Sequence, residues 1–105
     1  LLASASGETA SLVNVSIKAK QLGGTAALLT IFPESTLGKL AEVVVRIPAY
    51  TDKLPDGPEN VKGILPGGSL FEEAVMVLGD AMIVNLAQST GYHITKGFAL
   101  HANLE

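Results

Sequence analysis

Two short stretches gather side chains able to do chemistry. The first is Ser4-Ala5-Ser6-Gly7-Glu8-Thr9, with three hydroxyls in six residues, placed where an apolar strand end gives way to a helix. Backbone N–H groups at such a turn face outward from the positive end of the helix dipole, which suits a phosphate monoester. Ser6 also fits a plainer role, as the N-cap of that helix, which is the commoner role of a lone Ser-x-x-Thr. Residue types alone leave both roles open. The location at the carboxyl end of a parallel strand, where open α/β sheets bind ligands, strengthens the case for the anion site.

The second stretch is Gly67-Gly68-Ser69-Leu70-Phe71-Glu72-Glu73. Ser69 followed by Glu72 is a capping box, in which the glutamate returns to the Ser69 N–H. The other role for Glu72 is a proton shuttle. A carboxylate partly desolvated against Phe71 and an aliphatic helix face has a raised pKa, useful for moving a carbon-bound proton. Neither His93 nor His101 stands in a His/Asp/Glu cluster with ligand spacing, which argues against a metal site. His93 reads as a solvated residue. Asp80, inside an apolar helix, reads as a buried polar group bonded to nearby backbone. A Gly-x-Ser-x-Gly elbow and a P-loop are both missing, so serine-hydrolase and nucleotide chemistry find no support.

The elements that must position these groups follow from periodicity. Leu1 to Ala3 reads as the end of a buried strand. From Glu8 to Leu22 the stripe Leu12, Val15, Ala19 and Leu22 predicts a helix, which Gly23-Gly24 stops. Thr25 to Ile31 is an apolar strand ended by Pro33. Ser35 or Thr36 caps a short helix running through Ala41. Glu42 to Ile47 contains Val43-Val44-Val45, the pattern of a strand covered on both faces. A long Pro- and Gly-punctuated loop then leads to a helix from Ser69 to about Ser89, apolar on two faces and therefore expected to be buried on both. Strand–helix alternation predicts a parallel sheet with crossover helices. Three strands make a poor sheet, so roughly half of it is expected to lie outside this chain.

Composition narrows the classes further. Of 105 residues 48% are hydrophobic and only 16% charged, which excludes disorder and bounds the chain to one small domain. A net charge of −3 with a single arginine, Arg46, argues against nucleic acid as a partner. No basic amphipathic stretch suits a membrane surface, and Glu72, Glu73, Asp80 and Asn85 break the long helix as a membrane span. Cysteine is absent, so there is no disulfide or thiolate chemistry, in keeping with a cytoplasmic location.

Ser4-Ala5-Ser6-Gly7-Glu8-Thr9 resembles the Ser-x-Ser-Gly-x-Thr phosphosugar loop of SIS (sugar isomerase) domains. Ser35 to Val45 with Ile47-Pro48 is similar to the next helix and strand of those domains. Leu65-Pro66-Gly67-Gly68-Ser69-Leu70-Phe71-Glu72 and the ending His101-Ala102-Asn103-Leu104-Glu105 narrow the resemblance to the 6-phospho-3-hexuloisomerases. The resemblance implies a three-layer α/β/α sandwich of flavodoxin-like strand order, with residues 1–105 forming a partial SIS domain whose N-terminal strands are missing. It implies that Ser4, Ser6, Thr9 and the Ala5 N–H hold the 6-phosphate, that Glu72 is the general base, and that His101 is catalytic near a neighbouring subunit's site, as the acid that helps ring opening. The reaction implied interconverts a 6-phospho-3-hexulose and fructose 6-phosphate through an enediol, without cofactor or metal, in a homo-oligomer (dimer or tetramer). Ala5, Gly67 and Leu100 depart from the glycine, methionine and arginine common in that subgroup. The alternative reading is a non-catalytic phosphosugar-binding module or a truncated remnant, and this chain alone is not expected to turn over substrate.

Overall fold

The computed structural model describes residues 1–93. In chain order these form β1 (Leu2–Ala3), α1 (Ala10–Gln21), β2 (Ala27–Thr30), α2 (Thr36–Leu40), β3 (Val43–Arg46) and α3 (Ser69–Thr90). The strands make one parallel sheet in the order β1-β2-β3, with Leu2 paired to Leu28, and Ala27 to Thr30 paired in step with Val43 to Arg46. The fold class is therefore α/β, as the alternation of strand and helix signals requires. Two compact units divide the chain, Leu1–Val75 and Met76–Glu105.

The core of the first unit lies along β2. Leu28, Leu29 and Thr30 are buried, and Ile31 just beyond is fully enclosed. Burying each of these aliphatic side chains contributes about 2 kcal/mol. Leu37 of α2 packs beneath them, also buried. Gly38 of α2 is required by contact, because a Cβ there would collide with the Pro33 carbonyl.

Helix α1 presents a different face from the one its apolar spacing predicts. Ser16 is its buried residue, flanked by half-buried Leu12, Val13 and Ala19, while Val15, Ile17 and Leu22 are exposed. The small side chain of Ser16 marks the line of close approach, and its Oγ has no hydrogen-bond partner among the described residues. The helix stops where expected. Gly23 takes φ +79°, and the Gly24 N–H returns to the Ala19 carbonyl.

At the amino edge of the sheet one charged clasp joins α1 and α2 to the residues that lead into β2 and β3. Lys20 Nζ lies 2.9 Å from Glu42 Oε1 and donates to the Leu40 carbonyl at 2.7 Å. Glu42 Oε2 accepts from the Ala26 N–H at 2.7 Å. The Lys20 ammonium, followed by the Ala26 N–H, holds the Glu42 carboxyl below its ordinary pKa.

Two expectations about coverage are not met. Val43 and Val45 of β3 are 51% and 43% exposed, because β3 is an edge strand of the described sheet. In α3, Met76, Val77, Ile83 and Leu86 are each more than half exposed. Asp80 is exposed with them, so it is not a buried polar group needing a backbone partner. Phe71 and Ala87 of the same helix are buried, so its apolar residues are covered only in part among the described residues. No helix among the described residues is long and apolar enough to cross a membrane.

Candidate functional site

Parallel strands send all their exits to one edge, so the segments leaving β1, β2 and β3 share the carboxyl side of the sheet. The first exit is the hydroxyl loop. Ser4 Oγ lies 2.9 Å from Thr9 Oγ1, across five residues, and accepts the Gly7 N–H at 3.1 Å. The Gly7 N–H also reaches the Ser4 carbonyl at 3.2 Å, and the Glu8 N–H donates to Ser6 Oγ at 3.2 Å. Ser4 and Ser6 are buried and Thr9 is exposed at the mouth.

Gly7 makes this turn possible. Its φ is +68°, and an added Cβ would land on the Ser35 side chain. The chain then runs two residues further than the sequence suggests before turning helical. The N-cap of α1 is Thr9, not Ser6, and no side chain caps its first turn. The Thr9 hydroxyl is turned to Ser4 instead. That first turn therefore keeps unsatisfied N–H groups facing the loop. Among the described residues, the Ala5 and Ser6 N–H groups also have no acceptor.

The loop is braced by elements far along the chain. The Ala5 carbonyl accepts from the Ile31 N–H at 3.1 Å and from Thr30 Oγ1 at 3.2 Å. The Gly7 carbonyl accepts from the Leu37 N–H at 3.0 Å. Glu8 Oε1 accepts from the Thr36 N–H at 2.8 Å, a bond that lowers the Glu8 pKa. The Glu8 charge is thereby committed to the start of α2, where Ser35 Oγ, the N-cap, accepts the Gly38 N–H at 3.2 Å. What remains is a set of backbone donors beside hydroxyls, suited to an anion.

The second exit residue group, at the start of α3, does not form its capping box. Ser69 Oγ donates to the Pro66 carbonyl at 2.8 Å, as does the Ser69 N–H at 3.2 Å, so Glu72 has no cap to complete. Phe71 is buried, but Glu72 is exposed, so its carboxylate is not desolvated against the ring as expected. Leu70 shares a cleft with Arg46 and Pro48 at the end of β3, which brings the first turn of α3 to the carboxyl edge of the sheet. His93 is exposed. His101 lies outside the described residues.

Three residues of this edge were not singled out by sequence reasoning. Asn60 is buried in the β3 exit loop, where its two Nδ2 donors lie within hydrogen-bond distance of the Thr51, Leu54 and Pro55 carbonyls and its Oδ1 accepts from the Thr51 N–H. Tyr50 stands nearby, its phenol pKa raised first by desolvation and then by Asp56. Arg46 reaches over the sheet end, Nε donating to the Ile31 carbonyl at 3.4 Å. Only the last carried a sequence signal, as the chain's single arginine at the end of a β-branched run.

No protein-family model matches the chain. It is 42% identical to a Bacillus subtilis protein named 3-hexulose-6-phosphate isomerase, over all of this chain and 56% of that one. It is 36% identical to a Mycobacterium gastri protein of the same name, over all of this chain and 51% of that one. A solved structure described only as a hypothetical protein superposes with a TM-score of 0.76 at 31% identity, covering 99% of this chain and 55% of the other. The chain thus spans about half the length of the curated relatives it matches. Along its whole length it is a partial, SIS-like relative of proteins named 3-hexulose-6-phosphate isomerase.

Proposed function

We propose that the protein carrying this chain interconverts 6-phospho-3-hexulose and fructose 6-phosphate. The observation that carries this reading is the braced loop from Ser4 to Thr9, whose free N–H groups and exposed Thr9 hydroxyl face out at the carboxyl edge of the sheet. Ser4, Ser6, Thr9 and the Ala5 N–H hold the 6-phosphate, with the uncapped first turn of α1 adding its dipole. The names of the relatives support the sugar assignment.

With the phosphate anchored, the chemistry is a proton transfer. Glu72 removes the proton from C2, the C2–C3 double bond forms, and the C3 carbonyl oxygen takes up a proton to give the enediol. The O2 proton then leaves as C2 becomes the carbonyl, and Glu72 returns its proton to C3. Exposed Glu72 must become shielded from water for this to run well, a task for the remainder of the protein or for a second copy in a homo-oligomer. That same exposure favours a second reading, a phosphosugar-binding module without turnover.

Thermal denaturation with fructose 6-phosphate, inorganic phosphate and fructose tests the anchor. A ligand at 100 times its Kd stabilises the native state by about 2.7 kcal/mol. Both phosphates should raise the Tm and fructose should not, and S4A and T9V should each abolish the rise. A response to fructose, or an undiminished phosphate response in both variants, would remove the basis for the assignment.

A further inference from the structure

The isomerase reading names a phosphate anchor and a base, but no group to stabilise the negative charge that develops on oxygen as the enediolate forms. We infer that Arg46 is that group, binding the C2 and C3 oxygens of the substrate; the inference rests on the phosphosugar reading above. Arg46 is the chain's only arginine. It is exposed, and among the described residues it has no carboxylate partner, although Glu59 lines the same cleft.

Its placement follows from two hydrogen bonds that meet at one residue. The Ile31 N–H donates to the carbonyl of Ala5 in the phosphate loop, and the Ile31 carbonyl accepts from Arg46 Nε. Ile31, through which the two bonds run, is fully buried. Arg46 pairs in register with Thr30, whose hydroxyl also donates to Ala5. Arg46 and the loop are therefore two strand spacings apart, about 10 Å. That span is comparable to an extended six-carbon chain lying with its phosphate on the loop and its reactive end toward β3. At that end Arg46 shares a cleft with Leu70, two residues before Glu72. The first turn of α3, which carries Glu72, thus begins beside Arg46.

The geometry of the guanidinium suits the task. With Nε tied to Ile31, its terminal N–H pairs remain as a planar fork that matches two adjacent oxygens. Charge on those oxygens is greater in the enediolate than in the bound ketose, so the contact acts on kcat more than on KM.

The test compares R46Q and R46K with the wild-type protein at its natural length, using steady-state isomerisation of fructose 6-phosphate and calorimetric titration with inorganic phosphate. R46Q should lower kcat by about 10²-fold, as loss of an oxyanion donor does, with a smaller change in KM and unchanged affinity for inorganic phosphate. R46K should fall between. Wild-type kcat in R46Q overturns the inference, and so does a parallel loss of inorganic phosphate affinity, which would make Arg46 part of the anchor. Equal kcat losses in R46Q and R46K with a lowered Tm would reduce Arg46 to its structural tie to Ile31. If the wild type binds phosphosugar without turnover, the isomerase reading fails by itself. Arg46 is then judged on whether R46Q shrinks the preference for fructose 6-phosphate over inorganic phosphate, and an unchanged preference rejects it.

Discussion

Gly7→Ala tests the architecture of the phosphate loop through a single methyl group. At φ +68° an alanine pays the left-handed penalty of about 1–2 kcal/mol. Its Cβ also lands on Oγ and Cβ of Ser35, which is buried and cannot swing away without abandoning the Gly38 N–H. Overpacking of this kind costs about 1–3 kcal/mol. The sum, about 3 kcal/mol, is a large part of the stability of a small domain. Ser35→Gly removes both colliding atoms and, as a glycine N-cap, costs only a few tenths of a kcal/mol on its own. The double variant should therefore be more stable than Gly7→Ala alone, retaining only the backbone penalty. Urea unfolding of the four proteins gives the coupling directly. Additive effects, or a Gly7→Ala cost below about 1 kcal/mol, would show that the loop is not locked against Ser35 as described.

Further outcomes follow from the same bonds. Asn60→Ala removes the side chain whose two donors serve the carbonyls of residues 51–55 and whose oxygen accepts the Thr51 N–H, and should destabilise by about 3 kcal/mol in urea while making residues 51–60 sensitive to protease. The lowered pKa of Glu42 means that its contribution is present above the unfolded pKa and is lost as pH falls through the lower folded value. Glu42→Gln should therefore flatten the acid limb of the stability–pH profile, and Lys20→Met should do the same; an unchanged limb in both would contradict the clasp. Thr36→Pro, which removes the N–H that Glu8 accepts, should weaken inorganic phosphate binding by releasing the Glu8 charge beside the loop, measured by calorimetry.

Much of this was legible in the residues because the decisive signals are local. Gly23-Gly24 ended α1, Ser35 announced the cap of α2, and the alternation of apolar runs required a parallel sheet. Ser4, Ser6 and Thr9 could be grouped because they are neighbours in sequence. What could not be read depends on contacts across the fold. Ser6 looked like the N-cap, yet Gly7 carries the turn on to Thr9, and the reason lies at Ser35, 28 residues away. Glu8 pairs with the Thr36 N–H over the same distance. Glu72 had a capping box available in sequence, but Ser69 spends its hydroxyl on the Pro66 carbonyl. The faces of α3 and β3 were read as buried because apolar spacing reports a need for cover, whereas the cover itself is a property of other residues. Asn60 escaped notice because its partners are carbonyls of an irregular loop, which leave no pattern.

The most direct test of the central claim is NMR-detected conversion of 3-hexulose 6-phosphate to fructose 6-phosphate by the protein at its natural length, wild type beside Glu72→Gln. Conversion by the wild type is expected, with none detectable in the variant and equal affinity of the two for inorganic phosphate. A near-normal rate in Glu72→Gln would contradict the assigned base. A wild type that binds the phosphosugar and leaves it unchanged would contradict the isomerase itself, leaving a binding module built on the same loop.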